Sequence, residues 1–266
     1  MHWILQTNLF NEKEWDNLVS TLDRFSIPYS IHKVIPFIGE LIPKAAPLQK
    51  KVVCFGSYSM RHTAKKFGWN PGVYDLFNVN FVEQMKHWGK YMLNADSKVC
   101  ALKDAHITES KFIRPIDDSK YFAGKVFEPE EFNSWRHDIC EDGYDYGNSL
   151  RPETLVQICE PKEIYSEYRY WIINGKIVTR SLYKRGARVI YSPEVDNEVD
   201  WFAAMFAFDI IGKPLSWLPK AYVLDVCDTP DGYKIVEINT INSAGFYAGD
   251  VQAIVMALEE LENVHK

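Results

Sequence analysis

Between Ala221 and Asn239 the chain reads Ala-Tyr-Val-Leu-Asp-Val-Cys-Asp-Thr-Pro-Asp-Gly-Tyr-Lys-Ile-Val-Glu-Ile-Asn, and this run leaves the backbone little choice. Thr229-Pro230-Asp231-Gly232 sets Pro and Asp where a type I turn takes them, and Gly where a three-residue hairpin loop needs a left-handed residue. With Thr229 paired to Tyr233, stepping outward along the ladder sets Asp225 opposite Glu237, and Asn239 shares their face. Val236 and Ile238 then point the other way, toward a core. Two carboxylates opposed across a ladder repel unless a cation lies between them. An all-oxygen set of Asp, Glu and Asn suits Mg²⁺. Taken alone, the stretch leaves open a plain edge hairpin whose polar face meets water.

The hairpin is followed by a small, polar run, Thr240-Ile-Asn-Ser-Ala-Gly245, then by Phe246, Tyr247 and a predicted helix from Asp250 to Glu262. Strand, turn, strand with Glu-x-Asn, small-residue loop and helix, in that order, resemble the closing signature of the ATP-grasp ligases. The resemblance implies ATP as nucleotide and Mg²⁺ held by Asp225, Glu237 and Asn239. It also implies an α/β (α+β) chain: an ATP-grasp fold of two subdomains around a nucleotide cleft over residues 96–266, preceded by a small Rossmann-like α/β unit over residues 1–95.

Two upstream segments carry the same resemblance. Lys111-Phe-Ile-Arg-Pro115 reads as a strand ending in a cation, followed by Ile-Asp-Asp-Ser-Lys-Tyr-Phe-Ala-Gly-Lys125. It is similar to the clade of the superfamily characterised by one arginine and two lysines. Arg114, Lys120 and Lys125 would then carry positive charge to the triphosphate, the arginine as a rigid fork and the lysines as mobile point charges. The loop from Ser119 to Gly124 would close over the nucleotide. Each lysine taken singly reads equally as an ordinary exposed one.

Farther on, Leu155 to Cys159 and Ile164 to Ile173 read as strands broken at Glu160-Pro161, and Asn174-Gly175 is the strongest hairpin turn in the chain. By resemblance the break, near residues 157–163, is a hinge whose backbone meets the adenine. Gln157 and Glu160 are assigned to the nucleotide there and Glu167 to the ribose. Glu167 and Arg169 lie two apart in a strand and share a face. Arg169 resembles the arginine that many of these ligases aim at phosphate or substrate carboxylate; a charge pair on an exposed strand is the alternative. Arg180 and Lys184 are expected on one face, one of them reaching the γ-phosphate or an acidic substrate. Val223 departs from the pattern: some amino-acid ligases of the superfamily carry an oxyanion-steadying arginine there, which leaves Arg169 or Arg180 to substitute.

The first part of the chain alternates strands (near 3–6, 29–34 and 51–55) with amphipathic helices (12–25, and from Ser57 to about Phe67), which predicts a parallel sheet. Gly56-Ser57 follows a strand, but one glycine falls short of either phosphate-loop pattern; a substrate-facing turn remains. Trp69-Asn-Pro-Gly72 reads as a turn with an aromatic anchor, and Asp200 to Ile211 as a buried helix under the sheet. A net charge of -6 excludes broad attraction to nucleic acid. Five scattered cysteines without a C-x-x-C spacing fit reduced thiols. No apolar run approaches the ~18 residues of a membrane span, so a soluble, cytoplasmic protein without membrane partners is expected. The expected reaction is ATP-dependent ligation of a carboxylate to an amine through an acylphosphate, on a small molecule, amino acid or peptide. A small-molecule kinase and a non-catalytic nucleotide-binding module are the rival readings.

Overall fold

The computed structural model describes residues 1–8, 12–35, 38–46, 51–76, 79–116, 122–144, 150–193, 197–212 and 217–263. The chain forms two compact units: one gathers Met1–Leu76, Ile164–Tyr233 and Glu237–Lys266, the other Phe77–Glu163 with Lys234–Val236.

The first unit opens with β1 (His2–Gln6), α1 (Trp15–Arg24), β2 (Tyr29–Ile35), β3 (Glu40–Ile42), β4 (Lys51–Phe55), α2 (Met60–Phe67) and β5 (Asn70–Gly72). The strands lie in the order β3-β2-β1-β4-β5. β1 runs parallel to β2 and β4, β5 runs parallel to β4, and β3 is antiparallel to β2. Alternation along β1 splits its side chains between two cores. Trp3 and Leu5 join Leu18 and Leu22 of α1, whereas Ile4 joins Met60 and Ala64 of α2. The turn expected at Trp69-Asn-Pro-Gly72 is instead largely strand β5. It lies at the sheet's edge, where a proline costs no inner ladder bond. Trp69 is an anchor, as expected, stacked on Phe67 at 4.8 Å.

The second unit contains α3 (Phe81–Trp88), β6 (Lys98–Ala101), β7 (Lys111–Pro115), β8 (Lys125–Phe127), α4 (Pro129–Cys140) and β9 (Leu155–Cys159). Its antiparallel sheet has the order β6-β9-β7-β8. Ile113, Phe127 and Val156 pack there with Phe132 and Ile139 of α4.

The chain then returns to the first unit with β10 (Ser166–Ile173), β11 (Lys176–Arg185), β12 (Arg188–Ser192), α5 (Asn197–Ile211), β13 (Ala221–Thr229), β14 (Gly232–Asn239, of which Lys234–Val236 belong to the second unit) and α6 (Val251–Asn263). The sheet order is β12-β11-β10-β13-β14. Asn174 and Gly175 have φ of 50° and 71°, the left-handed pair a two-residue hairpin of this twist requires. At the next hairpin Gly232 has φ 87°, and the Thr229 hydroxyl donates to its carbonyl at 2.6 Å. Trp171, Ile173, Ala221 and Val223 meet Val251, Ile254, Val255 and Leu258 of α6 in the same core that holds Trp3 and Leu5.

Two expectations fail in this region. The sequence predicts a buried α5; instead Trp201, Phe202, Met205 and Phe208 are 58%, 55%, 44% and 67% exposed, while Ala203, Ala207, Ile210 and Ile211 are buried. The small alanines let the helix sit close to its neighbours and turn its aromatics outward. In β14, Ile238 is buried as expected, but Val236 is half-buried. Ile235, on Glu237's side by alternation, is fully buried, and its carbonyl accepts the Leu93 N–H at 2.8 Å within the second unit. All five cysteines are free thiols. Among the described residues no helix is long and apolar enough to cross a membrane.

Candidate functional site

The β10–β13 register sets Arg169 directly opposite Asp225, one step beyond the Trp171–Val223 pair on the same face. That face is therefore apolar over α6 and becomes charged toward Glu167. Arg169 Nε donates to Asp225 Oδ1 at 2.8 Å and Nη2 to Oδ2 at 2.6 Å. The third guanidinium nitrogen, Nη1, donates to the Ala244 carbonyl. The ring centroids of Tyr247 and Tyr183 lie 4.3 Å and 5.5 Å from the guanidinium carbon. Asp225 is fully buried and Arg169 only 5% exposed.

The structure brings Asp225, Glu237 and Asn239 together. Asn239 Nδ2 lies 3.2 Å from Asp225 Oδ2 and 3.0 Å from Glu237 Oε1, donating to both. An amide N–H group thus stands between two carboxylates, where a shared cation would relieve their repulsion. Burial pushes the Asp225 carboxyl above its usual range, Arg169 pulls it back, and Glu237 and Glu167 push it further up. Arg169 meets the opposite balance: burial disfavours its charge, but Asp225 more than restores it.

Glu167 is buried and accepts from Lys184 Nζ at 2.7 Å and from the Tyr183 hydroxyl. Burial, followed by the charges of Asp225 and Glu167, pushes the Tyr183 phenol far up, so it stays protonated and donating. A register shift explains why neighbours on one strand both reach Glu167. Glu167 pairs with Lys184 while Tyr168 pairs with Leu182, which leaves Tyr183 as the extra residue of a bulge. The same shift separates Lys184 from Arg180, which pairs with Tyr170 on the other face. The expectation that Arg180 and Lys184 share a face is corrected by this bulge. The Arg169 charge pair, for its part, is buried rather than exposed.

In the second unit Arg114 on β7 stands opposite Gln157 on β9. Gln157 is buried and its Oε1 accepts from Ser97 Oγ at 3.3 Å. Gly124 passes so close that a Cβ there would lie 2.7 Å from Phe112 Cζ and 2.9 Å from Arg114 Cβ. Lys125 pairs with Ile113, on the sheet face opposite Arg114, and its ammonium meets Glu131 and the Phe127 ring. The Arg114 and Lys125 side chains are therefore not brought together. Glu160 is exposed and paired with Lys111. Lys120 and Ser119 lie outside the described residues.

A family model matches residues 43–258; it describes an ATP-grasp domain, family 3 of the clade named for one arginine and two lysines. The chain belongs to this ATP-grasp family. No curated protein matches the sequence. Among solved structures, a D-alanine–D-alanine ligase from Bacillus anthracis complexed with ATP is similar at TM-score 0.59 and 13% identity, over 99% of this chain and 97% of that one. An L-amino acid ligase from Bacillus licheniformis gives 0.58 and 9%, over 93% and 69%. The ATP-grasp ligase PsnB, complexed with a precursor variant, Mg and ADP, gives 0.51 and 11%, over 98% and 97%. At such identities the likeness shows the shared ATP-grasp fold.

Sequence reasoning missed Tyr183, Tyr247 and the Ala244 carbonyl. The two tyrosines carried no signal, since a bulge and a left-handed residue, Tyr247 at φ 49°, are not encoded by any residue type that prefers them. Ala244 lies in the small-residue run whose brevity of side chain lets backbone approach a neighbour, which was a usable hint.

Proposed function

We propose that this ATP-grasp protein is an ATP-dependent carboxylate–amine ligase that uses Mg²⁺ and acts on a small molecule, amino acid or peptide. The observation that carries the reading is the joining of Asp225, Glu237 and Asn239 through one amide nitrogen. Asp225 and Glu167 are each paired with a cation, Arg169 and Lys184, and Glu237 adds a further carboxylate beside the Asn239 amide. Among the described residues no three His, Cys, Asp or Glu side chains are grouped so that they could hold a metal ion by themselves. The set needs oxygens from outside the protein, as nucleotide-bound Mg²⁺ supplies.

Bound there, Mg²⁺ would neutralise charge on the phosphates. Asp225, Glu237 and Asn239 would hold that ion. Arg114, Lys120 and Lys125 are assigned to the phosphates, Gln157 and Glu160 to the adenine, and Glu167 to the ribose. Arg180 and Lys184 remain candidates for the acidic substrate. Lys125 has to leave Glu131 and reach round from the sheet face opposite Arg114, and Lys184 has to share Glu167, to serve these roles. A carboxylate oxygen of the substrate attacks the γ-phosphorus and ADP departs. The amine nitrogen then attacks the acyl carbon of the acylphosphate, phosphate leaves with the oxygen, and the nitrogen loses a proton to give the amide. Positioning and charge neutralisation carry such transfers without a protein nucleophile.

The test is ATP turnover with Mg²⁺, pooled amino acids and short peptides, and hydroxylamine, comparing the native chain with Glu237→Gln. ADP together with a hydroxamate, formed only by the native chain, is the expected result. ADP without hydroxamate identifies a kinase instead. Absence of ATP binding sinks the nucleotide reading altogether.

A further inference from the structure

The Arg169 guanidinium does not present itself as a free hand for a substrate. Each of its three nitrogens donates to an acceptor, two on Asp225 and one on Ala244. The Tyr247 and Tyr183 rings lie against it. One buried cation thus joins the opposing strand to the turn that follows Asn239. Within that turn Tyr247 has φ 49°, a region a bulky residue enters only when its surroundings hold it there; Gly245, at φ 72°, takes it freely. Tyr247 is held by Arg169 on one side and by Tyr191, with ring centroids 4.9 Å apart, on another.

Asp225 Oδ2 is the atom on which these ties converge, since it accepts from both Arg169 Nη2 and Asn239 Nδ2. A cation that takes this oxygen competes with the arginine fork. The same guanidinium is tied to the Ala244 carbonyl and the Tyr247 ring, so a shift of the fork is felt at both.

We propose that Arg169 is a positioning residue that couples cation binding at Asp225 to the conformation of the 244–247 turn, and does not itself touch the phosphates or the substrate carboxylate. The proposal rests on the cation-site reading above. It replaces the sequence-based expectation that this arginine meets the reacting groups. Arg169 orients the Asp225 carboxylate through two parallel hydrogen bonds, a geometry that lysine cannot reproduce. Tyr247 is the turn's side of the latch, meeting Arg169 through its ring and through its hydroxyl.

Calorimetric titration with ADP, with and without Mg²⁺, separates the possibilities in the native chain, Arg169→Lys, Tyr247→Phe and Tyr247→Leu. Metal-free ADP affinity is expected to stay within about twofold throughout, because neither residue touches the nucleotide. The gain in affinity on adding Mg²⁺ is expected to fall about tenfold or more in Arg169→Lys and about threefold in Tyr247→Leu. It should fall less in Tyr247→Phe, which keeps the ring and loses only the hydroxyl's bond to Arg169, than in Tyr247→Leu. If Arg169→Lys weakens metal-free ADP as much as the Mg²⁺ complex, the arginine contacts phosphate and the proposal is overturned. Native-like behaviour of Tyr247→Leu overturns the coupling to the turn, even if Arg169→Lys fails to fold. A native chain that binds ADP with no Mg²⁺-dependent gain removes the cation-site reading itself, and the coupling with it.

Discussion

Replacing Asp225 by asparagine keeps its shape and removes its charge, which isolates what the buried ion pair contributes to stability. The side chains of Arg169 and Asp225 are 6% and 1% exposed, so solvent cannot take over from the lost partner. The introduced amide can still accept one of the two guanidinium hydrogen bonds through its oxygen; the other is lost. Removing one member of a buried pair costs about 3–5 kcal/mol, because it strands the other charge. The Ala244 carbonyl and the Tyr247 ring still solvate the guanidinium, which favours the lower end, about 3 kcal/mol. Arg169→Met strands the carboxylate, which retains only the Asn239 amide, and should cost at least as much. With both changes no charge is stranded, so the double variant should recover about 2–4 kcal/mol of the summed single effects, well beyond the ~0.5 kcal/mol within which independent sites add. Urea unfolding of the four proteins without nucleotide or metal, followed by far-ultraviolet circular dichroism at pH 7, gives the cycle. Additivity of the two single changes would refute the argument that the pair acts as one desolvated unit.

Three further outcomes follow from other parts of the structure. Gly249→Ala should destabilise by about 1–3 kcal/mol, since a Cβ there would lie 2.9 Å and 3.0 Å from atoms of the buried Trp171 ring; a lowered thermal midpoint with an altered near-ultraviolet spectrum is the check. Gly124→Ala should weaken ATP binding more than it lowers the thermal midpoint, because the added methyl presses on Phe112 and on Cβ of Arg114; unchanged ATP affinity would remove Arg114 from the nucleotide site. His2 has its pKa lowered by burial, with the charges of His32 and the N-terminal ammonium adding to the effect. Its folded value lies below its unfolded value of 6.5, so the stability it contributes is complete above 6.5 and is lost as pH falls through the folded value. His2→Gln should therefore flatten the decline in urea midpoint between pH 7 and pH 5.

The sequence made the fold legible where local rules and core demands agree. The hairpin around Pro230-Asp231-Gly232 needs a left-handed glycine, and Asn174-Gly175 needs two left-handed positions; both form where the residue types point. The strands near 3–6, 29–34 and 51–55 carry apolar residues that both faces of a covered sheet require. Legibility failed in α5, whose composition is apolar on nearly every side. Periodicity cannot say which side of such a helix meets the sheet, and the structure chooses the alanines for contact over Trp201 and Phe208. It failed again at Arg180 and Lys184, because counting by twos along a strand assumes an unbroken ladder. One extra residue, Tyr183, inverted the alternation between them.

The candidate site shows the same division more sharply. Opposed carboxylates implied a missing cation, and the residue types were enough to place Asp225, Glu237 and Asn239 together. What the sequence could not reveal is that the protein already supplies a positive charge of its own. Arg169 lies 56 positions from its partner, and only the β10–β13 register brings the two into line. That register is fixed by the apolar pairs farther along the same face, Trp171 with Val223 and Ile173 with Ala221, because a slip by one residue would turn every buried side chain to the wrong side. The hydrophobic core over α6 therefore does more than stabilise the unit. It sets the alignment that aims a buried arginine at Asp225, so a core substitution that loosened this register would reach the site without touching any of its charged groups.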